Sequence, residues 1–190
     1  LPASLDGMQY MTVARYHDNN RELVLENDRK AIVWMQDNIQ GSPVIAEANT
    51  PLYRWGNRIS IYTGLPAVIG WDWHQKQQRA AVSGQIVDWR LQDLRDLYNT
   101  HDTVAAAKLL NRYHVGYIYV GELEQAYYDA QGLAKFERMV GSTLDVVYKS
   151  GPVTIYRVRG SGVKKVRSES QASQSGWWSL WDWVAKRWVP

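Results

Sequence analysis

The segment VGYIYVG at residues 115–121 decides the fold class, because it is the clearest buried strand in the chain. It is short, rich in β-branched and aromatic residues and bounded by glycine, which is typical of a strand covered on both faces. Residues 103–113 before it have helical spacing that opens on Asp102 as a cap, and residues 87–98 have the same spacing. The strand therefore lies within an alternating series of helices and strands.

Toward the N-terminus the alternation continues. Apolar residues at helical spacing predict a helix from Arg29 to Ile39, capped by Asn27 or Asp28. A short apolar run at residues 44–48 follows and predicts a strand that ends at the turn residues after it.

Other segments complete the prediction. Residues 58–62 are expected to form a second short strand, and a helical stretch after residue 121 is expected to break near Gly132. Two strands at residues 144–148 and 153–158, separated by the turn sequence KSGP, predict a hairpin. We expect an α/β fold with a mixed sheet of about four to five strands, helices packed on it and a hairpin at its end.

Composition bounds the class of protein. The hydrophobic fraction is 45% and the charged fraction 22%, both typical of a globular chain of 190 residues. There is no Cys, which excludes disulfides, thiolate catalysis and Cys-ligated zinc. No apolar run reaches the roughly 18 residues that a membrane span needs. Because the chain starts at Leu1 and not at Met, we expect a fragment or a processed product.

The C-terminal segment differs from the rest. We predict an α/β domain over residues 1–158, a flexible polar linker over residues 159–176 and a Trp-rich amphipathic helix over residues 177–190. Tryptophan favours the headgroup zone of a bilayer, and nearby Lys and Arg suit anionic lipids, which predicts contact with a membrane surface. The residues assigned to this contact are Trp177, Trp181 and Trp188. The alternatives are docking on the body or on a partner, or an artificial addition.

Charge argues against a nucleic-acid partner. The net charge is +3, but from Arg159 onward six cations stand against two carboxylates, so the first 158 residues are near neutral. A near-neutral body lacks the basic face that binding to a phosphate backbone requires.

Candidate chemistry is concentrated between residues 47 and 79, where carboxylate, guanidinium, amide, imidazole and indole groups are close together. Glu47 lies at the end of a predicted buried strand, which in α/β sheets is where ligands tend to bind. Indole rings offer faces for stacking on sugars. The predicted ligand-binding residues are Glu47, Arg58, Tyr62, Trp71, Asp72, His74, Gln78 and Arg79.

Each of these residues also has a structural interpretation. Glu47 could form a buried ion pair with Arg58 or Arg79, the aromatic residues could belong to the core, and His74 could be a hydrogen-bonded structural residue. A pair of carboxylates, Glu47 and Asp72, would alternatively suit a soluble glycoside hydrolase. Catalytic residues are not assigned by the sequence, and no His or acid spacing indicates a metal site.

A family resemblance is carried by RISIYTGLP at residues 58–66, followed by Gly70-Trp71, His74-Gln75 and QQR at residues 77–79. These motifs resemble the C-terminal soluble region of the YYY membrane protein family, bacterial and archaeal polytopic proteins related to the GT-C class of glycosyltransferases. The similarity extends over nearly all of residues 1–158.

The resemblance implies an extracytoplasmic domain on the outer face of the cell membrane, attached to a transmembrane bundle of the same protein. It implies contacts with an acceptor glycan or a lipid-linked sugar, made by a part that is itself non-catalytic. It also implies no cofactor in this segment, with a divalent cation allowed in the full-length protein. A non-catalytic carbohydrate-binding or assembly module is the first alternative.

Overall fold

The computed structural model of the protein describes residues 5–79, 81 and 83–162. Its strands are β1 (Arg15–Asp18), β2 (Arg21–Val24), β3 (Val44–Ala46), β4 (Val115–Val120), β5 (Leu144–Ser150) and β6 (Val153–Val158). Its helices are α1 (Leu25–Asn38), α2 (Arg58–Thr63), α3 (Asp72–Gln78), α4 (Gln85–Asn99), α5 (Thr103–Arg112), α6 (Glu122–Tyr127) and α7 (Ala130–Arg138). A short 3-10 helix, Gln9–Thr12, precedes β1. The predicted membrane-contact residues and most of the predicted linker lie outside the described residues.

A mixed four-stranded sheet with the order β3-β4-β6-β5 forms the centre of the domain. β4 is parallel to β3 and antiparallel to β6, and β5 and β6 form the terminal hairpin. All six residues of β4 are buried, as its composition predicts, because strands flank it and helices cover it. The predicted α/β class, mixed sheet and hairpin are confirmed.

Helices pack on this sheet from several directions. α1 contacts β5 and β6, α5 and α6 contact β4, and α4 packs against α5 and α7. The predicted Asp102 cap is confirmed, since its carboxylate accepts the Val104 N–H at 2.7 Å. No described helix is both long enough and apolar enough to cross a membrane.

A polar hairpin, β1–β2, forms a separate two-stranded sheet that the sequence analysis does not predict. Asn19 and Asn20 at its turn have φ values of 45° and 60°, the left-handed conformation that a two-residue hairpin loop favours. The hairpin joins the domain through Glu122, whose carboxylate accepts the Val24 N–H at 3.0 Å.

Three predicted elements are corrected. Residues 58–63 form helix α2 where a strand was predicted, because the Glu47 carboxylate accepts the N–H groups of Ile59 and Ser60 and so caps a helix there. Helix α1 begins at Leu25, before either predicted cap residue. The helical stretch after β4 breaks at Tyr128, which has an extended backbone, and Gly132 lies inside α7.

Candidate functional site

Arg58 lies in the interior at the centre of an ion cluster. Its Nε and Nη2 donate to the carboxylate of Asp28 at 2.6 and 3.2 Å, and its Nη1 and Nη2 donate to Glu124 at 3.1 and 3.0 Å. Tyr119 donates its hydroxyl to Asp28 at 2.6 Å. Arg58 is 1% exposed, so in this conformation its guanidinium stabilises the interior and does not reach a ligand.

Glu47 is also 1% exposed and acts as the cap of α2. Its two carboxylate oxygens each accept one N–H, from Ile59 and Ser60, at 2.7 Å. Burial raises the pKa of Glu47 to about 7, while nearby Arg58 and the two N–H groups act in the opposite direction. The carboxylate is therefore committed to the interior, which contradicts the geometry that a Glu47–Asp72 glycosidase would need.

Three rings form an aromatic cluster at the start of α3. His74 lies 5.5 Å from both Trp71 and Tyr53, measured between ring centroids, and Tyr53 lies 6.1 Å from Trp71. The Trp71 indole N–H donates to the Gly56 carbonyl at 3.3 Å, while His74 Nδ1 is buried without a hydrogen bond to a described residue. Tyr53 is 66% exposed, so the cluster presents a ring to solvent.

The other predicted residues are dispersed. Tyr62 is half-buried and its hydroxyl lies 2.7 Å from that of Tyr10. Gln78 and Arg79 are exposed at the end of α3. Of the eight predicted ligand-binding residues, only Asp72 lines the cleft beside the loop that follows β3.

An open cleft of about 670 Å³ lies beside the loop that follows β3. This cleft is built by that loop, by the first residue of α3, by one face of α4 and by the residues that end α6. Its lining residues are Asn49, Thr50, Pro51, Leu52, Arg54, Asp72, Leu91, Arg95, Asn99, Tyr127 and Tyr128.

The position of the cleft follows from the topology. β3 and β4 are parallel neighbours, and the segments that leave their carboxyl ends supply the 49–54 loop and, through α6, Tyr127 and Tyr128. The crevice outside the carboxyl ends of parallel strands is where α/β sheets bind ligands. The Tyr128 hydroxyl accepts the Asn49 N–H at 3.2 Å and so ties the two segments together.

The cleft lining includes polar side chains and charges of both signs. Arg54 Nη1 donates to Asp18 at 2.6 Å and to the Tyr127 hydroxyl at 3.1 Å. Burial is the main cause that raises the pKa of Tyr127, whose hydroxyl therefore stays protonated. Arg95 is exposed on α4 and forms no hydrogen bond or ion pair with another described residue. Guanidinium, amide, hydroxyl and carboxylate groups are thus available to a polar ligand.

The sequence does not predict most of this lining. Arg54 and Asn49 lie within the predicted segment but are not among the predicted ligand-binding residues, because nothing in the sequence distinguishes an exposed Arg54 from a buried Arg58. Arg95, Tyr127 and Tyr128 lie far along the chain, and only the fold brings them to the loop. No group of three or more His, Asp or Glu within the described residues could hold a metal ion.

Comparisons with known proteins find a similar solved structure but no matching family. No family model matches the chain, and no curated protein matches it. Among solved structures, it is similar to the C-terminal globular domain of an oligosaccharyltransferase from Archaeoglobus fulgidus, with a TM-score of 0.43 and 16% sequence identity. That match covers 69% of this chain and 96% of the other. Membership of the YYY family stays a prediction.

Proposed function

We propose that this chain is an extracytoplasmic domain of a GT-C-like membrane glycosyltransferase, and that its cleft contacts the acceptor or the lipid-linked sugar. The proposal is supported by the sequence resemblance and by one structural observation: a cleft whose lining includes guanidinium, amide, carboxylate and tyrosine groups lies at the carboxyl ends of β3 and β4. Planar guanidinium and amide groups beside tyrosine rings suit sugar hydroxyls, since they combine directional hydrogen bonds with a stacking surface.

In this proposal the domain contributes binding and leaves bond formation to the transmembrane bundle. Because Glu47 and Arg58 are buried, we propose the cleft residues Arg54, Asp72 and Arg95 as the ligand contacts instead. Trp71 and Tyr53 lie next in sequence to the cleft residues Asp72 and Arg54, and we propose their rings as a stacking surface for a saccharide that extends beyond the cleft.

The test is Arg95→Ala in the full-length membrane protein, with transfer of a labelled glycan as the readout. Arg95 is exposed and has no partner within the described part of the chain, so its loss should not affect folding. We expect the KM for acceptor or donor to rise about tenfold, the usual cost of a lost charged hydrogen bond. Lys108→Ala on α5, exposed and outside the cleft lining, is the matched control. Unchanged glycan transfer in both variants would contradict the proposal that the cleft contacts the substrate.

A second candidate is a carbohydrate-binding module that acts without a transmembrane partner. It is favoured by the observation that three separate segments of this chain, the 49–54 loop, α4 and the end of α6, line the same cleft. Titration of the 190-residue chain with oligosaccharides, followed by Trp fluorescence, separates the two candidates. Micromolar binding by the chain alone supports the module, whereas half of a transfer site should bind in the millimolar range or weaker.

A further inference from the structure

Arg54 lies between two separate hollows. It lines the cleft described above, and it also lines a second, more open hollow of about 710 Å³ at the β1–β2 hairpin. The second hollow is otherwise lined by hairpin residues, namely Tyr16, His17, Asp18, Asn19, Asn20 and Arg21. A ligand that enters either hollow therefore meets the same guanidinium.

Among the described residues, the Arg54 guanidinium is held through one nitrogen, Nη1. Nη1 donates to Asp18 Oδ1 and to the Tyr127 hydroxyl, which itself donates to Asp18 Oδ1 at 2.7 Å. The second carboxylate oxygen, Oδ2 of Asp18, is buried and has no hydrogen bond to a described residue. Asp18 thus forgoes the two-point pairing that Arg and a carboxylate usually form, and its side chain is only 1% exposed.

The consequence is that the other edge of Arg54 stays open. Neither Nε nor Nη2 forms a hydrogen bond with any residue in the described part of the chain, and the side chain is 46% exposed. These two nitrogens form a planar fork that matches two oxygens of a carboxylate or a phosphate. Because Nη1 is fixed, little side-chain entropy is lost when such a group binds.

Neighbouring charges favour an anion at this fork. Arg95 lines the cleft and Arg21 lines the second hollow, so each hollow contains one guanidinium group in addition to that of Arg54. The carboxylates in the two linings are Asp72 and Asp18, and Asp18 is already paired with Arg54. A ligand oxyanion between the hollows would meet more positive than negative charge.

We propose that the Nε and Nη2 edge of Arg54 binds an oxyanion carried by the saccharide, so that the cleft selects an acidic or phosphorylated sugar over a neutral one. That the ligand is a saccharide rests on the proposed function, whereas the binding of an oxyanion rests on the geometry of Arg54. The source of the oxyanion is either a sugar carboxylate or a phosphate, which share the same two-oxygen chemistry.

The variant that tests the fork is Arg54→Lys. A lysine keeps the positive charge beside Asp18 but removes the two-nitrogen edge. The chain supplies a matched control in Arg112, whose Nη1 donates to Asp93 at 2.8 Å while the Tyr113 hydroxyl donates to the same carboxylate. Arg112→Lys therefore repeats the substitution in a similar Arg–Asp–Tyr group that lies outside both hollows. Thermal unfolding of both variants reports any structural effect.

The measurement is the affinity of the 190-residue chain for methyl glucuronoside, methyl glucoside, glucose 1-phosphate and inorganic phosphate, by calorimetry. We expect either charged sugar to bind about tenfold more tightly than the glucoside, with the preference lost in Arg54→Lys and kept in Arg112→Lys. Whichever of the two charged sugars binds more tightly shows whether the oxyanion is a carboxylate or a phosphate.

Other outcomes are equally informative. Equal affinity for charged and neutral sugars would overturn the inference and leave the proposed function standing. If inorganic phosphate were the only probe that bound, and its binding were lost in Arg54→Lys, the oxyanion site at Arg54 would be supported. The proposal that a saccharide carries the oxyanion would then be overturned. A preference that survives in Arg54→Lys, or no binding of any probe, would overturn the fork.

Discussion

The Arg58 side chain shows how one residue can fix the interior of this domain. The buried Arg58 guanidinium forms ion pairs with the carboxylates of Asp28 and Glu124, and each carboxylate accepts further hydrogen bonds. Trp55 Nε1 donates to Asp28 at 2.8 Å, while the N–H groups of Ala48 and Gly121 donate to Glu124, both at 2.8 Å. The cluster joins α1, α2 and α6 to the end of β3.

Replacing Arg58 by leucine should therefore be strongly destabilising. The two buried carboxylates would lose their counter-charge, which typically costs about 3–5 kcal/mol. Denaturant-induced unfolding of Arg58→Leu measures the loss, and Arg95→Ala, an exposed arginine, should change the free energy of unfolding by less than about 0.5 kcal/mol. A similar small change for both variants would show that the cluster contributes little.

The sequence identifies Glu47 and Arg58 as unusual polar residues but not their environment. Their partners explain why. Asp28 and Glu124 lie in segments far from Arg58 along the chain, and neither stands out from the other acids by its type or local spacing. The Arg58 cluster becomes buried only when the tertiary structure forms. An arginine that faces a ligand and an arginine in the interior therefore cannot be distinguished in the sequence.

At the scale of elements, prediction succeeds where local signals and packing agree. β4, α4, α5 and the β5–β6 hairpin each have a clear local signal, which is a buried apolar run, helical spacing or a turn sequence, and all are present. It fails at α2, where the β-branched run favours a strand but the Glu47 carboxylate supplies a cap from twelve residues earlier. It also fails at Gly132, where the glycine has a packing role.

Gly132 permits the close approach of α7 to the end of α4. A methyl group there would lie 2.4 Å from the Tyr98 carbonyl oxygen and 2.7 Å from that of Asn99. The buried Lys135 donates to the same Tyr98 carbonyl at 3.2 Å and so provides a C-terminal cap for α4.

Gly132→Ala reverses the usual effect of this substitution. In an unobstructed helix interior, alanine stabilises by about 0.5–1 kcal/mol relative to glycine. Here the backbone clash should instead lower the free energy of unfolding by about 1–3 kcal/mol, the usual cost of overpacking. Gly7→Ala, where nothing lies within 4 Å, is the control, and thermal or denaturant unfolding gives the sign. A stabilised Gly132→Ala would mean that the two helices separate easily.

At the scale of the whole molecule, the cleft arises from segments that are far apart in sequence. The 49–54 loop, α4 and the end of α6 become neighbours only because β3 and β4 are parallel and adjacent. The sequence predicts a site near the end of β3, which is also where the cleft lies, but the residues predicted for that site belong mainly to α2 and α3. The general location follows from topology, whereas the lining depends on side-chain exposure, which composition does not encode.

The sequence predicts that the folded domain ends at residue 158. β6 ends at Val158, but Arg159, assigned to the linker, donates to Asp145 through Nε at 2.8 Å. Its N–H also donates to the Thr143 carbonyl at 2.9 Å. The packed body therefore includes at least this residue, and a chain that ends at Gly162 keeps these contacts.

The Trp-rich segment at residues 177–190 is predicted to bind a membrane surface, and this prediction is independent of the cleft. Tryptophan side chains partition to the headgroup zone, and basic residues are attracted to anionic lipids. The full chain should therefore sediment with vesicles that contain anionic lipid, and a chain that ends at Gly162 should stay in the supernatant. A variant with Trp177, Trp181 and Trp188 replaced by serine should lose most of the binding while its net charge is unchanged. Equal sedimentation of the full and shortened chains would exclude this segment as the membrane contact, whereas salt-sensitive binding by the triple variant would assign the attraction to charge.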